Sequence, residues 1–254
     1  MSGRVCGVVR ERNRGSSVSE SPWKCRTSSP GRAAPHGRIA RRRLRAVATL
    51  IVAAALGVGV FGTSASFATS GLRVTMVGDS VAASLSYVAS ARALLGRGTS
   101  VRYDLRVCRR LVAPSCAYQG VAPTTALQAV ESYGRSLGDV LIMDVGYNDS
   151  SQSYPRAIDQ IMSAALAQGV TRVIWVTLRE TGEYSSVYHS TNAAIRAARA
   201  RWPELVVADW SDYSAGEPWF ATDGLHLSAT GATALALLLR PFVAQAMTAR
   251  HAKR

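Results

Sequence analysis

Leu72-Arg-Val-Thr-Met-Val-Gly-Asp-Ser80 runs directly into Val81-Ala-Ala-Ser-Leu-Ser-Tyr-Val-Ala-Ser-Ala-Arg-Ala-Leu-Leu95. The first half is a short aliphatic, β-branched run closed by glycine, and the second has helical spacing and length. This is a strand, a tight turn and a helix. The pattern then repeats: Leu72–Val77, 101–107, 140–145, 172–177 and 205–209 read as strands. The intervening segments 82–95, 124–137, 154–168, 188–201 and 229–239 read as helices, with Pro241 expected to kink or end the last one. Strands alternating with helices of this length form βαβ units with right-handed crossovers, so the pattern predicts one α/β domain built on a five-stranded parallel sheet covered on both faces. There is no internal repeat and no second core.

Working outward from this domain, the chain changes character toward its N-terminus. It has 254 residues, a formal net charge of +14 and 48% hydrophobic residues, enough apolar content for a sizeable core. Residues 1–45 hold twelve Arg and Lys against only Glu11 and Glu20, so most of the positive charge lies in an arm without periodicity. The remainder is nearly neutral once Arg250, Lys253 and Arg254 of a short basic tail (250–254) are set aside. Charge of this kind does not mark a nucleic-acid-binding face, and no nucleic-acid partner is expected.

Residues 46–72 contain no charged side chain and follow Arg41, Arg42, Arg43 and Arg45. A basic region, an apolar stretch and a small-x-small ending at Ser66-Phe67-Ala68 are the parts of a secretory signal. Segment 46–68 is therefore expected to be a cleaved signal peptide or a membrane anchor, and the only part of the chain in contact with the membrane. In either case residues 71–249, the folded domain, are placed outside the cytoplasm. The arm 1–45 is expected to be disordered. Within the apolar stretch, Gly57-Val-Gly59-Val-Phe-Gly62 matches a dinucleotide-binding spacing by chance, lacking a preceding strand and a following acidic residue. Cys108 and Cys116 lie in the exported domain, where they form a disulfide candidate worth roughly 2–3 kcal/mol by loop entropy; two free buried thiols are the alternative.

Ligands of open parallel sheets bind beyond the carboxyl ends of the strands. Gly78-Asp79-Ser80 follows the first strand, Gly146-Tyr147-Asn148-Asp149 the third, and Asp223-Gly224-Leu225-His226 precedes the last helix. Ser80 at a strand-to-helix turn has the position of a nucleophile, which needs a base because a serine hydroxyl is weakly nucleophilic at neutral pH. His36 and His251 fall in the arm and the tail, and His189 at the start of a predicted helix. His226 remains as the base, with Asp223 three residues earlier to accept its Nδ1 proton. Asn148 supplies a side-chain donor for the oxyanion that develops during attack on an ester. Taken singly, Ser80 reads better as a helix cap and Asn148 and Asp149 as turn formers. Their joint occurrence points to a catalytic site. Tyr147 and Trp219 are candidates for lining the acyl pocket, while Asp144, Asp209, Trp175 and Trp210 read as structural. No cluster has metal-ligand spacing, so neither metal nor cofactor is expected.

The three blocks Gly78-Asp79-Ser80-Val81-Ala82, Gly146-Tyr147-Asn148-Asp149 and Asp223-Gly224-Leu225-His226-Leu227-Ser228 resemble the signature blocks of the SGNH (GDSL-like) hydrolases, over residues 72–245. The resemblance implies a flavodoxin-like three-layer α/β/α sandwich. It also implies a catalytic Ser80, Asp223 and His226, with an oxyanion hole from the amides of Ser80 and residue 108 and the side chain of Asn148. One block departs from the family: the glycine expected after the second strand is Cys108. Arg109 and Arg110, which follow it, read as solvated loop residues. The stretch from Val173 to His226, with Asn192, Asp209-Trp210 and Trp219-Phe220, is similar to SGNH domains of cell-envelope O-acyltransferases and acetylesterases. The implied activity is that of an exported, monomeric serine esterase acting on a small acyl ester, acetyl in the first instance, or on an acylated envelope glycan. The alternatives are transfer of the acyl group to a sugar hydroxyl and an inactive envelope-binding module.

Overall fold

A computed structural model describes residues 71–252. The arm 1–45, segment 46–68, the glycine-rich match at 57–62 and the last two residues of the chain, for which the sequence raises expectations, lie outside the described residues. The described part contains β1 (Arg73–Gly78), α1 (Ala89–Leu95), β2 (Ser100–Leu105), α2 (Ala126–Tyr133), β3 (Val140–Asp144) and α3 (Tyr154–Ala167). It continues with β4 (Arg172–Val176), α4 (Ser185–Ala198), β5 (Leu205–Ala208), a short α5 (Trp210–Tyr213) and α6 (Ala229–Ala252). The five strands are all parallel, in the order β2-β1-β3-β4-β5.

Both faces of this sheet are covered, and the strands divide their side chains between them with a period of two. Val74, Met76, Ile142, Ile174 and Val176 pack on one face with Ala91 and Leu95 of α1 and Ala232, Leu235, Ala236, Leu239 and Val243 of α6. On the other face Val77, Leu141, Met143, Val173 and Trp175 meet α2, α3 and α4 through residues such as Val130, Ile158, Met162 and Ile195. This is the three-layer sandwich that the alternating pattern predicts. The change of winding direction lies between β1 and β3, whose carboxyl ends, at Gly78 and Asp144, pair in register.

Four segments differ from the sequence expectation. The predicted helix 82–95 is a 3-10 turn over Ala82–Tyr87 and then α1, separated by Val88 in an extended conformation (φ −117°, ψ 89°). Ser84, Ser86 and Val88 are weak helix formers, so the break falls where local propensity is poorest. Segment 124–137 is likewise shorter as an α-helix: Thr125 and Gln128 form a reciprocal capping box at its start and a 3-10 turn ends it. The last helix passes through Pro241 instead of stopping there. Pro241 is exposed whereas Leu239 and Val243 on either side are buried, so packing against the sheet outweighs the lost backbone hydrogen bond. Finally α5, too short for a periodicity signal, is capped by Asp209. Although α6 is long and apolar enough to cross a membrane, one side of it is core.

Candidate active site

β1 ends at Gly78 because the chain must turn sharply against its neighbours there. A Cβ on Gly78 would lie 2.4 Å from Ala82 Cβ and 2.7 Å from Leu105 Cδ2, so only glycine fits. Asp79 and Ser80 follow, with Asp79 fully buried and Ser80 half-buried. The structure answers whether Ser80 is merely a cap. The 3-10 turn after it has no side-chain cap, and the Val81 amide donates instead to Asp79 Oδ1 at 3.0 Å. Among the described residues Ser80 Oγ makes no hydrogen bond with a protein group.

Asp79 is the organiser of this corner. Its Oδ2 accepts from the amides of Gly146 (3.1 Å) and Tyr147 (3.2 Å), tying the loop after β3 to the turn after β1. Burial pushes its carboxyl up to about 6, against the lowering effect of the Val81, Gly146 and Tyr147 amides and the His226 ring. Asp144, buried at the end of β3, is held well above the usual carboxylate value by burial and then by the charge of Asp79, and its Oδ2 has no hydrogen-bond partner among the described residues.

Asn148 and Asp149 reach out of their own turn. Asn148 Nδ2 donates to the Arg109 carbonyl (3.2 Å), and both Asp149 oxygens accept from the Leu111 amide (3.1 Å). The loop after β3 is thereby clamped to the loop after β2. Burial raises the Asp149 carboxyl to about 6, opposed by the Leu111 amide. One N–H of Asn148 remains for a ligand, and the amides of Ser80 and Cys108 donate to no protein group among the described residues. Cys108 has φ +66°, the left-handed conformation, and is joined to Cys116 by a disulfide with a Cα–Cα distance of 5.2 Å.

The loop 220–226 carries the base. His226 Nδ1 is 2.7 Å from Asp223 Oδ2, and Asp223 Oδ1 accepts from the amides of Leu225 (2.9 Å) and His226 (3.0 Å). Partial burial opposes ionisation of Asp223, but the Leu225 amide, the His226 ring and the His226 amide outweigh it and hold its carboxyl below the usual range. An ionised Asp223 fixes the Nδ1–H tautomer and leaves Nε2 as the free, basic nitrogen. Arg179, just past β4, holds this loop. Its Nη1 donates to the Gly224 carbonyl (2.5 Å), its guanidinium lies 3.5 Å from the centre of the Phe220 ring, and its own amide donates to Tyr147 Oη (2.7 Å).

The two candidate pocket aromatics are thus partly engaged in structure. Tyr147 bridges to Arg179 and meets Tyr188 edge-to-face (5.1 Å), while Trp219 stacks on Trp210 (5.8 Å). His189 pairs instead with Glu180 on the surface (2.9 Å). Asp209 and Trp210 sit as read, Asp209 in a forked contact with Arg196 and Trp210 buried. The expectation of a solvated Arg109 is overturned. Its side chain is 0% exposed, bonded to the carbonyl and carboxylate of Asp104 and to the carbonyl and hydroxyl of Thr124. A buried guanidinium is tolerable only with such partners. Arg110 is half-buried, with a buried Nε that has no hydrogen-bond partner among the described residues.

Sequence reading also missed the roles of Asp79 and Arg179. Asp79 directly follows β1 and Arg179 lies three residues past β4, in the region where ligand-binding residues gather, and that position was the available signal. Among the described residues no group of His, Cys, Asp or Glu is arranged to hold a metal ion.

No protein-family model and no curated protein matches the sequence. Solved structures do. The chain is similar to the C-terminal catalytic domain of peptidoglycan O-acetyltransferase A from Streptococcus pneumoniae (20% identity, 69% of this chain and 94% of that one, TM-score 0.55). It is similar to a carbohydrate acetylesterase family member from Sinorhizobium meliloti (14% identity, 70% and 99%, TM-score 0.55). It also resembles a protein from Slackia heliotrinireducens classed with the SGNH hydrolases (20% identity, 67% and 98%, TM-score 0.52). The fold of residues 71–252 is the SGNH hydrolase fold.

Proposed function

We propose that this SGNH-fold protein is an exported serine esterase that hydrolyses short acyl esters, acetyl esters first among them, on a cell-envelope glycan. The single observation that carries the reading is the ionised Asp223 bonded to His226 Nδ1 on the loop before the last helix, in a fold that sets Ser80 at the turn after β1. The glycan half of the proposal is drawn from the acetyl-handling neighbours, and the exported location from the basic and apolar segments ahead of residue 71.

In this reading His226 Nε2 takes the hydroxyl proton as Ser80 Oγ bonds to the acyl carbon. The carbonyl oxygen, now an anion, is met by the Ser80 and Cys108 amides and the remaining N–H of Asn148. Collapse of the tetrahedral species expels the alcohol, which takes its proton from His226. A water then gives a proton to His226 and attacks the acyl-serine, releasing the acid and restoring Ser80. Asp223 stays ionised throughout and stabilises the imidazolium.

Transfer of the acyl group to a sugar hydroxyl uses the same residues and differs only in which hydroxyl intercepts the acyl-enzyme. Incubation with an acyl ester and a glycan acceptor, followed by measurement of free acid against acylated sugar, separates the two; acylated sugar as the main product overturns hydrolysis. Failure of a fluorophosphonate to label Ser80 in the folded protein overturns both and leaves a binding module.

A further inference from the structure

The glycine that normally supplies an oxyanion amide is replaced here by a residue with a side chain, and yet the backbone keeps a glycine's conformation. The Arg109 amide donates to the Arg106 carbonyl (3.3 Å), closing a four-residue turn in which Cys108 is third and has φ +66°. That place in a turn, when φ is positive, belongs to glycine or asparagine, because a Cβ crowds the following carbonyl. Among the described residues only Cys108 and Gln119 share this conformation without being glycine. Gln119 sits in an exposed turn beside Gly120, with nothing like the same cross-link.

Cys108 differs in being tied. Its Sγ is bonded to Cys116, and the intervening ring is closed further by the Arg110 amide on Ser115 Oγ (3.2 Å). Downstream, the buried Arg109 side chain and the Asp149–Leu111 bond fix the chain from residue 109 onward. These anchors hold the residues after Cys108 but do not themselves choose the sign of its φ. We infer that Cys116 is a positioning residue: through the disulfide it holds Cys108 in the left-handed conformation that directs the residue 108 amide toward the carbonyl oxygen of a bound ester. The cross-link takes over the conformational role of the missing glycine. This inference rests on the esterase reading above, since it concerns the geometry of that reading's oxyanion hole.

The test compares full-length Cys108→Ala/Cys116→Ala with Cys108→Gly/Cys116→Ala, alongside wild type and Ser80→Ala. Both pairs lack the disulfide and differ only in whether residue 108 favours positive φ. Turnover of a short acyl ester is read as kcat and KM, with the melting temperature recorded for each protein. The alanine pair is expected to lose roughly 5- to 30-fold in kcat, the factor by which an unconstrained left-handed residue is depopulated, with KM changed less than about twofold. The glycine pair is expected to recover most of that loss while melting as low as the alanine pair. A disulfide that only stabilises the fold would lower both melting temperatures and separate neither kcat.

Equal kcat in the two pairs, whether both fall or neither does, overturns the inference. Should the alanine pair fail to fold, Cys116→Ala against the glycine pair makes the same comparison. Active wild type with indistinguishable pairs removes the disulfide claim alone. Wild type no more active than Ser80→Ala removes the esterase reading and this inference with it.

Discussion

His226 Nδ1 lies 2.7 Å from Asp223 Oδ2, and the same carboxylate accepts the backbone amide of His226 through its other oxygen. The ring and its own backbone are thus held by one group. Replacing His226 by Ala is expected to lower ester turnover by at least ~10²-fold with the melting temperature nearly unchanged, since the ring is partly exposed. Asp223→Asn should lower it comparably by offering an amide N–H to Nδ1 and favouring the wrong tautomer. Steady-state kinetics and thermal melts check both; near-normal turnover in either variant removes that residue from the mechanism.

Asp79 gives a pH signature. Its carboxyl is raised to about 6 in the folded protein from 3.8, so the folded state binds the proton more tightly than the unfolded one. A raised value means that its contribution to stability is fully present below pH 3.8 and is lost as pH rises through about 6. In Asp79→Asn that titration is gone. The difference in unfolding free energy, wild type minus variant, should therefore fall by about 3 kcal/mol between pH 3.5 and pH 7. Urea unfolding across this range measures it, and a difference that stays flat or rises would contradict the assigned burial.

The same substitution should also act on turnover. Asparagine has one acceptor oxygen for the three amides of Val81, Gly146 and Tyr147, so at least one of them loses its partner. Where the amide lost is that of Gly146 or Tyr147, the loop bearing Asn148 loosens from the turn bearing Ser80. A kcat reduced about tenfold or more, with KM little changed, is the expected result.

Arg179 links loops that are distant in sequence. Arg179→Met keeps much of the aliphatic stem but removes the bond to the Gly224 carbonyl and the cation above Phe220. With the loop 220–226 less firmly placed, kcat is expected to fall roughly 3- to 30-fold while the melting temperature drops only modestly. An unchanged kcat would show that the bond between Asp223 and His226 suffices to place the imidazole.

Arg109→Met tests the buried ion pair. The substitution leaves Asp104 inside the protein with only the exposed Arg106 and Tyr133 Oη as partners. Loss of about 3 kcal/mol of unfolding free energy is expected, at the low end for breaking a buried pair because those two contacts persist. Chemical denaturation decides; a loss below about 1 kcal/mol would mean that Asp104 needs no buried cation.

What the residue pattern alone determined follows from periodicities and short motifs. Aliphatic runs spaced by helical segments required a parallel sheet, because strands buried on both faces must be apolar throughout and must be joined by crossovers. The segments read as strands correspond to β1–β5 to within two residues at either end. The positions of Ser80 and Asn148 just past strand ends, and of Asp223 and His226 before the last helix, were legible as well, because the strands and helices that bound them were. The possible link between Cys108 and Cys116 was legible from their spacing.

Only the tertiary structure decided the rest. Whether Ser80 caps a helix was decided by the turn that follows it, which has no side-chain cap, while the carboxylate of Asp79 takes the Val81 amide with one oxygen and the loop after β3 with the other. Whether Arg109 is solvated depended on Asp104 and Thr124 meeting it from either side, and whether α6 ends at Pro241 depended on the sheet beneath it. The physical reason is common to all three. Local propensities differ by about 1 kcal/mol for ordinary residues, whereas desolvating a charge or burying a helix face involves several, so long-range contacts settle what short-range preference leaves open.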